Sequence, residues 1–250
     1  MAQARSFLGV CNCLRHELQW ILSVLIMKLF YPRVVLFRAG IVSKKGESNS
    51  FYSQFGQDFF ISKLLHHRDG IYVDVGANRP IHNNNTYYFE EKLNWSGIAI
   101  DPIKVYNDEW QELRPRTAIV NKAISYISEP INFLFASGPD GWEDQLSSIA
   151  SSKRQSGSLL FDQAVVQGDR LDTILRQCNL RSGDIDVMSL DIEGSELAAI
   201  HTLGIYRPKF IILENNRPFW GSFRYRQALS NIGYTLIARA WTSDDIFMYQ

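Results

Sequence analysis

The sequence has only three cysteines and no net charge, and these two features argue against disulfide-rich and nucleic-acid-binding proteins. The three cysteines, Cys11, Cys13 and Cys178, are an odd number without a disulfide framework, so we expect free thiols in a reducing compartment. Cys11 and Cys13 have too few other ligands nearby in the sequence for a zinc site. Basic and acidic residues number 26 each, and this balance argues against a nucleic-acid-binding protein.

Long apolar runs, low-complexity tracts and internal repeats are also absent. The uncharged run Leu18–Met27 is ten residues long, well short of the roughly 20 residues that cross a bilayer. What is present is a chain of 250 residues, 46% of them hydrophobic. This length and composition suit one α/β domain with a short extension.

Residues 1–48 form a basic and apolar segment, which we expect to be a helical extension ahead of a main domain at residues 49–250. Seven basic and two acidic residues give the segment a net charge of +5, and the remainder carries −5. Apolar residues recur at helical spacing from Phe7 to Leu29. Such a helix can pack on its own domain, join two subunits as a homodimer, or lie on an anionic membrane surface. The three alternatives stay open, and we expect a cytoplasmic protein with at most a peripheral membrane contact.

A buried strand and the tight turn after it organise the main domain. The apolar run Ile71–Val75 breaks into a turn at residues 76–78, and a second short strand, Ile98–Ile100, ends at Asp101. In a doubly wound sheet, the first turn lies beneath the ligand, and the acid after the next strand binds the ribose hydroxyls of a nucleoside. Asp101 follows Gly76 by 25 residues, close to the spacing of about 20 that this arrangement requires.

The turn lacks two of the three glycines in the dinucleotide motif G-x-G-x-x-G. Gly76 is the single glycine, Asn78 tolerates a left-handed backbone, and Pro80 removes an N–H group. The turn is therefore a poor cradle for a pyrophosphate, and it suits a cofactor without phosphate such as S-adenosylmethionine. Asp74 could orient the turn or meet the ligand's amino group, and capping of the next helix is the alternative.

Several short motifs follow one another along the chain in a specific order. They are SQFGQD at 53–58, DVGAN at 74–78, NT at 85–86, WSG at 95–97, DP at 101–102 and DIEGSE at 191–196. This set resembles the FkbM family of S-adenosylmethionine-dependent methyltransferases over about residues 50–215, with Pro80 as a departure where many members carry glycine. The resemblance implies a class I methyltransferase fold, in which a Rossmann-like, mostly parallel sheet of seven strands has helices on both faces and an antiparallel last strand.

The resemblance and the strand pattern together predict the cofactor-binding residues. In such enzymes a helix before the first strand often covers the cofactor, and a helix N-terminus near Asn85 can hold its carboxylate. Adenine would rest against the residues that follow a third strand, Thr117–Val120. The predicted set is Gln57, Asp74, Gly76, Ala77, Asn78, Asn85, Thr86, Asp101, Pro102, Asn121 and Ala123.

Acidic side chains follow two later strands. Asp191 and Glu193 come after the apolar run Asp186–Leu190, and the next strand is followed by Glu214 and Asn215. Because the carboxyl ends of parallel strands meet at one edge of a sheet, we expect these side chains to converge near the cofactor. Grouped carboxylates are costly unless they are paired, bound to metal or functional.

The converging acids suggest two ways to activate an acceptor hydroxyl. Asp191 or Glu193 could take its proton as a general base, and the loop residue His82 is a further candidate. Alternatively, Mg²⁺ could be held by Asp191, Glu214 and Asn215, a layout similar to the metal site of catechol-type O-methyltransferases. Helix capping is the structural alternative for Glu193.

The resemblance implies O-methylation of a sugar or glycan hydroxyl, or of a natural product. Residues 125–168 are the least regular part of the chain, and we expect an insertion there that recognises the acceptor. A purely structural hairpin is the alternative for this insertion. A NAD-type oxidoreductase is disfavoured by the missing glycines and by the lack of an obvious Tyr-x-x-x-Lys pair. A non-catalytic scaffold attached to a membrane through residues 1–48 is the other alternative.

Overall fold

The computed structural model describes residues 29, 33–37, 51–138, 143–149, 160–215, 219–240 and 243–250. Most of the N-terminal extension lies outside these residues, so its three alternatives and the boundary at residue 48 stay predictions. None of the helices within the described ranges has both the length and the apolar character that a membrane span requires.

Strands and helices alternate along most of the described chain. The strands are β1 (Val35–Phe37), β2 (Ile71–Val75), β3 (Ser96–Ile100), β4 (Thr117–Val120), β5 (Ala123–Ile124), β6 (Pro130–Ser137), β7 (Ser148–Ile149), β8 (Leu160–Asp169), β9 (Val187–Leu190), β10 (Phe210–Glu214), β11 (Tyr234–Ala240) and β12 (Asp244–Tyr249). The helices are α1 (Gln57–Ser62), α2 (Tyr87–Leu93), α3 (Asn107–Leu113), α4 (Leu171–Gln177), α5 (Glu196–His201) and α6 (Phe219–Ser230). A helix between successive strands allows those strands to run parallel.

The main sheet has eight described strands in the order β1-β11-β12-β10-β9-β2-β3-β4. Every neighbouring pair is parallel except β12, which runs antiparallel to both β10 and β11. The predicted α/β fold and its antiparallel last strand are therefore confirmed. The predicted count of seven strands does not match, because Val35–Phe37 pairs with β11 and adds an eighth strand at the edge.

The sheet is buried on both faces, which explains why its strands read as near-continuous apolar runs. On one face, side chains such as Val73 and Met188 pack against α4, α5 and α6. On the other face, Tyr72 and Val187 pack against α1 and α2, and Trp110 of α3 joins that side. The prediction of helices on both faces is confirmed.

The predicted insertion forms a second sheet, in the order β5-β8-β6-β7. β6 and β8 pair as a long antiparallel ladder. β5 begins at Ala123, shortly after β4 ends at Val120, and its two residues pair in parallel with Gly168 and Asp169. Lys122 strengthens this junction because its Nζ donates to Asp169 Oδ2 at 2.8 Å. The insertion is thus fixed to the carboxyl edge of the main sheet.

A fully buried arginine, Arg114, joins the elements around the turn that follows β2. Its Nε donates to Glu90 Oε2 at 2.5 Å, and its Nη2 donates to the Tyr72 hydroxyl at 2.7 Å. Its Nη1 donates to the backbone oxygen of Pro80 at 2.7 Å, and Nη2 also reaches Thr86 Oγ1 at 3.1 Å. Burial of a guanidinium is tolerated only when its charge is paired and its donors are used. Arg114 meets both conditions.

We predict that Arg114→Met lowers the free energy of unfolding by about 3–5 kcal/mol, because it leaves the Glu90 carboxylate buried without its partner. Urea denaturation followed by circular dichroism measures the change. The matched control is Arg181→Met, since the Arg181 side chain is 88% exposed and should change stability by less than about 0.5 kcal/mol. Equal effects from the two variants would contradict a stabilising role for the buried pair.

Candidate functional site

The turn after β2 is pressed against the chain that follows β9. Gly76 has a φ of 81°, and a Cβ atom there would lie 1.6 Å from the backbone oxygen of Asp191. Two features therefore require glycine at this position, the left-handed backbone and the contact. The Asp191 N–H group donates to the backbone oxygen of Val75 at 3.0 Å. This contact sets the distance between the predicted cofactor turn and the predicted catalytic residues.

Asp101 connects the same turn to the loop after β3. Its Oδ2 accepts a hydrogen bond from the Asn78 N–H group at 2.9 Å, and its Oδ1 accepts one from the Ile103 N–H group at 2.8 Å. Asp101 therefore holds the turn after β2 and the loop after β3 in fixed positions relative to each other.

A pocket opens between these loops at the carboxyl ends of the parallel strands. The main sheet and its loops contribute Gly76, Asn78, Asp101, Pro102, Ile103, Lys122, Asp191, Ile192 and Glu193 to its lining. The second sheet and its loops contribute Ala123, Phe133, Gln145, Ser147 and Ile149. The pocket thus has one wall from the main sheet and another from the second sheet.

The structure divides the predicted cofactor-binding residues into two groups. Those that line the pocket are Gly76, Asn78, Asp101, Pro102 and Ala123. Those that it places outside the pocket lining are Gln57, Asp74, Ala77, Asn85, Thr86 and Asn121. The first group can contact a ligand directly, and members of the second support the loops that carry the first.

Asp74 is the clearest supporting residue. Its carboxylate is 4% exposed and accepts hydrogen bonds from Thr86 Oγ1 at 2.8 Å and Asn84 Nδ2 at 2.9 Å. Burial raises its pKa, and hydrogen bonds from these two side chains oppose the rise. Asn121 supports the other side of the pocket, because its Nδ2 donates to the backbone oxygen of Asp101 at 3.0 Å.

Three carboxylates converge at the end of β9 and β10, as the strand pattern predicts. Asp191, Glu193 and Glu214 each place one oxygen within 4.8 Å of those of the other two. Asp244, the cross-strand neighbour of Glu214, lies beside them and accepts a hydrogen bond from Gln57. We call the four residues Asp191, Glu193, Glu214 and Asp244 the acidic cluster.

Members of the acidic cluster resist ionisation. Desolvation by the surrounding protein raises the pKa of Glu214 to about 7, and the Glu193 carboxylate adds to this rise. Desolvation, followed by the charge of Glu214, raises the pKa of Asp191 well above its ordinary value. Desolvation also raises the pKa of Asp244 to about 6. Perturbed acids grouped beside a pocket are typical of functional sites.

The structure does not bring all the predicted site residues into the cluster. The Asn215 Nδ2 donates to Asp245 Oδ2 at 2.7 Å, within a buried group that includes Arg226 and Arg239. His82 is exposed and is not among the described residues that line the pocket. The Nδ2 of Asn215 therefore serves the group around Asp245, and Glu193 joins Asp191 and Glu214 in the acidic cluster.

Sequence reasoning missed the pocket residues of the insertion. Phe133 lies in a stretch whose alternation predicts a strand, but periodicity alone does not show which face meets the cofactor. Gln145 and Ser147 lie in a serine-rich segment that has no motif. The one signal that could have found them is the position of the insertion, directly after the third parallel strand.

Comparison with known proteins identifies a family whose model covers this site. A family model described as "Methyltransferase FkbM domain" matches residues 74–236. That match covers the turn after β2, Asp101, the insertion and the acid-bearing loop after β9. A search of the curated proteins finds no match.

Two solved structures are similar to the chain over most of its length. A TehB-like SAM-dependent methyltransferase from Corynebacterium glutamicum has 10% sequence identity and a TM-score of 0.42, with coverage of 82% of this chain and 92% of that chain. The 1,6-didemethyltoxoflavin-N1-methyltransferase from Burkholderia thailandensis, solved with 1,6-didemethyltoxoflavin and S-adenosylhomocysteine, has 9% identity and a TM-score of 0.41. The match covers 78% of this chain and 77% of that chain.

We predict that Gly76→Ala destabilises the protein far more than Gly183→Ala. Both glycines have a left-handed backbone, but a Cβ atom at Gly183 meets nothing within 4 Å. Gly183→Ala should therefore cost only about 1–2 kcal/mol for the backbone conformation, whereas Gly76→Ala must also displace Asp191. Thermal unfolding of both variants measures the difference, and similar melting temperatures would contradict the required contact.

We also predict a pH-dependent effect of Glu214→Gln on stability. The pKa of Glu214 is about 7 in the folded protein, above its ordinary value of 4.5. Its contribution to stability is therefore fully present below pH 4.5 and is lost as the pH rises through 7. The free energy of unfolding of the native protein should fall relative to that of Glu214→Gln across this interval.

Urea denaturation at a series of pH values measures this difference. Glu112→Gln removes an exposed carboxyl group on α3 and reports the general effect of losing one negative charge. The prediction would be contradicted if the difference in free energy of unfolding between the native protein and Glu214→Gln stayed constant from pH 4.5 to 8.

Proposed function

The chain belongs to the FkbM methyltransferase family, and from this membership we propose that it transfers the methyl group of S-adenosylmethionine to a hydroxyl group. The observation that carries the proposal is the pocket that Gly76, Asp101 and Ala123 line together at the carboxyl ends of the strands. Ligands of doubly wound folds bind at this edge of the sheet.

The chemistry of the pocket supports a nucleoside cofactor without a pyrophosphate. Asp101 lines the pocket directly after β3, the position at which the acid of a doubly wound fold binds the ribose hydroxyls of a nucleoside. The apolar side chains of Ile103 and Phe133 offer contact surface for an adenine ring. The turn at Gly76 lacks the further glycines that allow close approach to a pyrophosphate.

Methyl transfer from a sulfonium is an in-line displacement. The acceptor oxygen forms a bond to the methyl carbon, the carbon–sulfur bond breaks and leaves a neutral thioether, and the acceptor loses its proton. Correct orientation of the two reactants can lower the activation barrier by about 7–11 kcal/mol. The rigid contact between the turn at Gly76 and the chain at Asp191 suits this positioning role.

We assign the acceptance of the proton to the acidic cluster, with Asp191 and Glu193 as the residues that also line the pocket. A carboxyl group with a raised pKa is a stronger base than an ordinary one, which favours transfer of a proton from a hydroxyl. The carboxylates interact closely, so they titrate as a group and share the role.

The prediction that Asp191, Glu214 and Asn215 hold Mg²⁺ stays a prediction, and Glu193 is a further candidate ligand. Asp191, Glu193 and Glu214 present grouped oxygen atoms, which are the ligands that hard cations prefer. Asn215 uses its Nδ2 for Asp245, and its Oδ1, the atom that would bind a cation, has no hydrogen-bond partner among the described residues. A cation held by the three carboxylates would supply Lewis acidity toward the acceptor hydroxyl.

The acceptor stays a proposal based on the family, namely a sugar or glycan hydroxyl or a natural product. The second sheet forms one wall of the pocket through Phe133, Gln145 and Ser147. This placement supports a role for the insertion in acceptor recognition, because binding residues often lie on connecting segments that a rigid scaffold positions.

We predict that the purified protein binds S-adenosylmethionine and S-adenosylhomocysteine and does not bind NAD. Asp101→Asn should weaken cofactor binding by about 10- to 100-fold, because it removes a charge-assisted hydrogen bond worth about 1.5–3 kcal/mol. Isothermal titration calorimetry measures the dissociation constants, and Asp108→Asn, an exposed change on α3, is the control.

Thermal unfolding of Asp101→Asn accompanies the titration, because Asp101 also holds the backbone of Asn78 and Ile103. Binding of NAD alone would overturn the methyltransferase proposal in favour of an oxidoreductase. Binding of none of the three compounds would favour the scaffold alternative.

A further inference from the structure

The loop that carries Glu193 has an unusual backbone. Glu193 has a φ of 47° and Gly194 a φ of 110°, so two successive residues lie in the left-handed half of conformational space. A non-glycine residue in this region costs free energy and persists only when its surroundings hold it there. Contacts from the surrounding protein must therefore hold this loop, and the same contacts fix where the Glu193 carboxylate lies.

The side chain of Glu196 supplies a contact at the centre of this loop. Its Oε1 accepts a hydrogen bond from the Gly194 N–H group at 2.8 Å. Ser195, at the N-cap of α5, makes no side-chain capping bond of its own. Glu196 is the first residue of α5 and is 2% exposed. The bond therefore joins the left-handed segment to a helix that is fixed in the core.

A second element orients Glu196 from the opposite side. The Tyr225 hydroxyl of α6 donates to Glu196 Oε2 at 2.9 Å, and both side chains are buried. The next residue on α6, Arg226, pairs with Asp245 of β12 at 2.8 Å. Since α6 is anchored at Asp245 independently, the Tyr225 hydroxyl occupies a fixed position from which it can hold the Glu196 carboxylate.

We infer that Tyr225 and Glu196 act as positioning residues, which hold the loop after β9 so that Glu193 presents its carboxylate to the pocket. Glu193 lines the pocket and belongs to the acidic cluster, whereas neither Tyr225 nor Glu196 is among the described residues of the pocket lining. The description of Glu193 as catalytic rests on the proposed function, but the positioning itself does not.

The test uses two variants that each remove or weaken a contact of this group without creating a large cavity. Tyr225→Phe removes the hydroxyl alone, and Glu196→Gln keeps an oxygen acceptor while it changes the charge. The matched control is Tyr234→Phe, because the Tyr234 hydroxyl is also buried and donates to the backbone oxygen of Pro208 at 2.9 Å, outside this loop. All three variants are made in the full chain, and thermal unfolding checks that they fold.

Nuclear magnetic resonance provides the readout at the loop itself. In Tyr225→Phe, the Gly194 amide should exchange its hydrogen about tenfold faster, as expected for the loss of one hydrogen bond. The three-bond coupling constant of Glu193, which depends on φ, should leave its native value. Glu196→Gln should show a smaller change of the same kind, and Tyr234→Phe should show neither change.

Unchanged exchange at Gly194 and an unchanged coupling constant at Glu193 in both Tyr225→Phe and Glu196→Gln would overturn the inference. If Tyr225→Phe does not fold, Glu196→Gln decides the same question. A separate titration with S-adenosylhomocysteine keeps the two proposals apart. Lack of binding by the native protein would contradict the proposed function, while the exchange experiment would still decide the positioning role.

Discussion

The buried ion pair between Arg114 and Glu90 is the interaction on which the rest of the molecule depends. One guanidinium ties the end of α3 to β2 through Tyr72, to α2 through Glu90, and to the loop after β2 through Pro80 and Thr86. Thr86 in turn donates to Asp74, which precedes Gly76 by two residues. The position of the turn beneath the pocket therefore depends on a charged group that never meets solvent.

The carboxyl groups whose pKa is shifted by the fold include two electrostatic classes. Burial works against ionisation of Glu90 and Asp245, but arginine partners and hydrogen bonds outweigh it, and the pKa of each carboxyl is lowered. In the acidic cluster, desolvation and neighbouring carboxylates act in the same direction, and the pKa of Asp191, Glu214 and Asp244 is raised. Compensated acids of the first class stabilise the fold, whereas uncompensated acids of the second class are the ones available for chemistry.

Much of the sheet could be predicted from sequence, because strands such as Ile71–Val75 and Thr117–Val120 are apolar runs bounded by turn residues. The strands β1, β5 and β7 could not, since two or three residues are too few to show a period. The role of Arg114 was not predictable either, because only the tertiary structure shows that an arginine is buried.

The edge strand β1 has a consequence for how the protein folds. Val35 pairs with Ala238, more than 200 residues further along the chain, so the edge of the sheet closes only after nearly all of the polypeptide is available. Pairings with such large sequence separation form late and slowly, because the loop between the strands must be closed first. During synthesis, β1 leaves the ribosome long before its partner exists. The first described strand of the chain is thus among the last that can be completed.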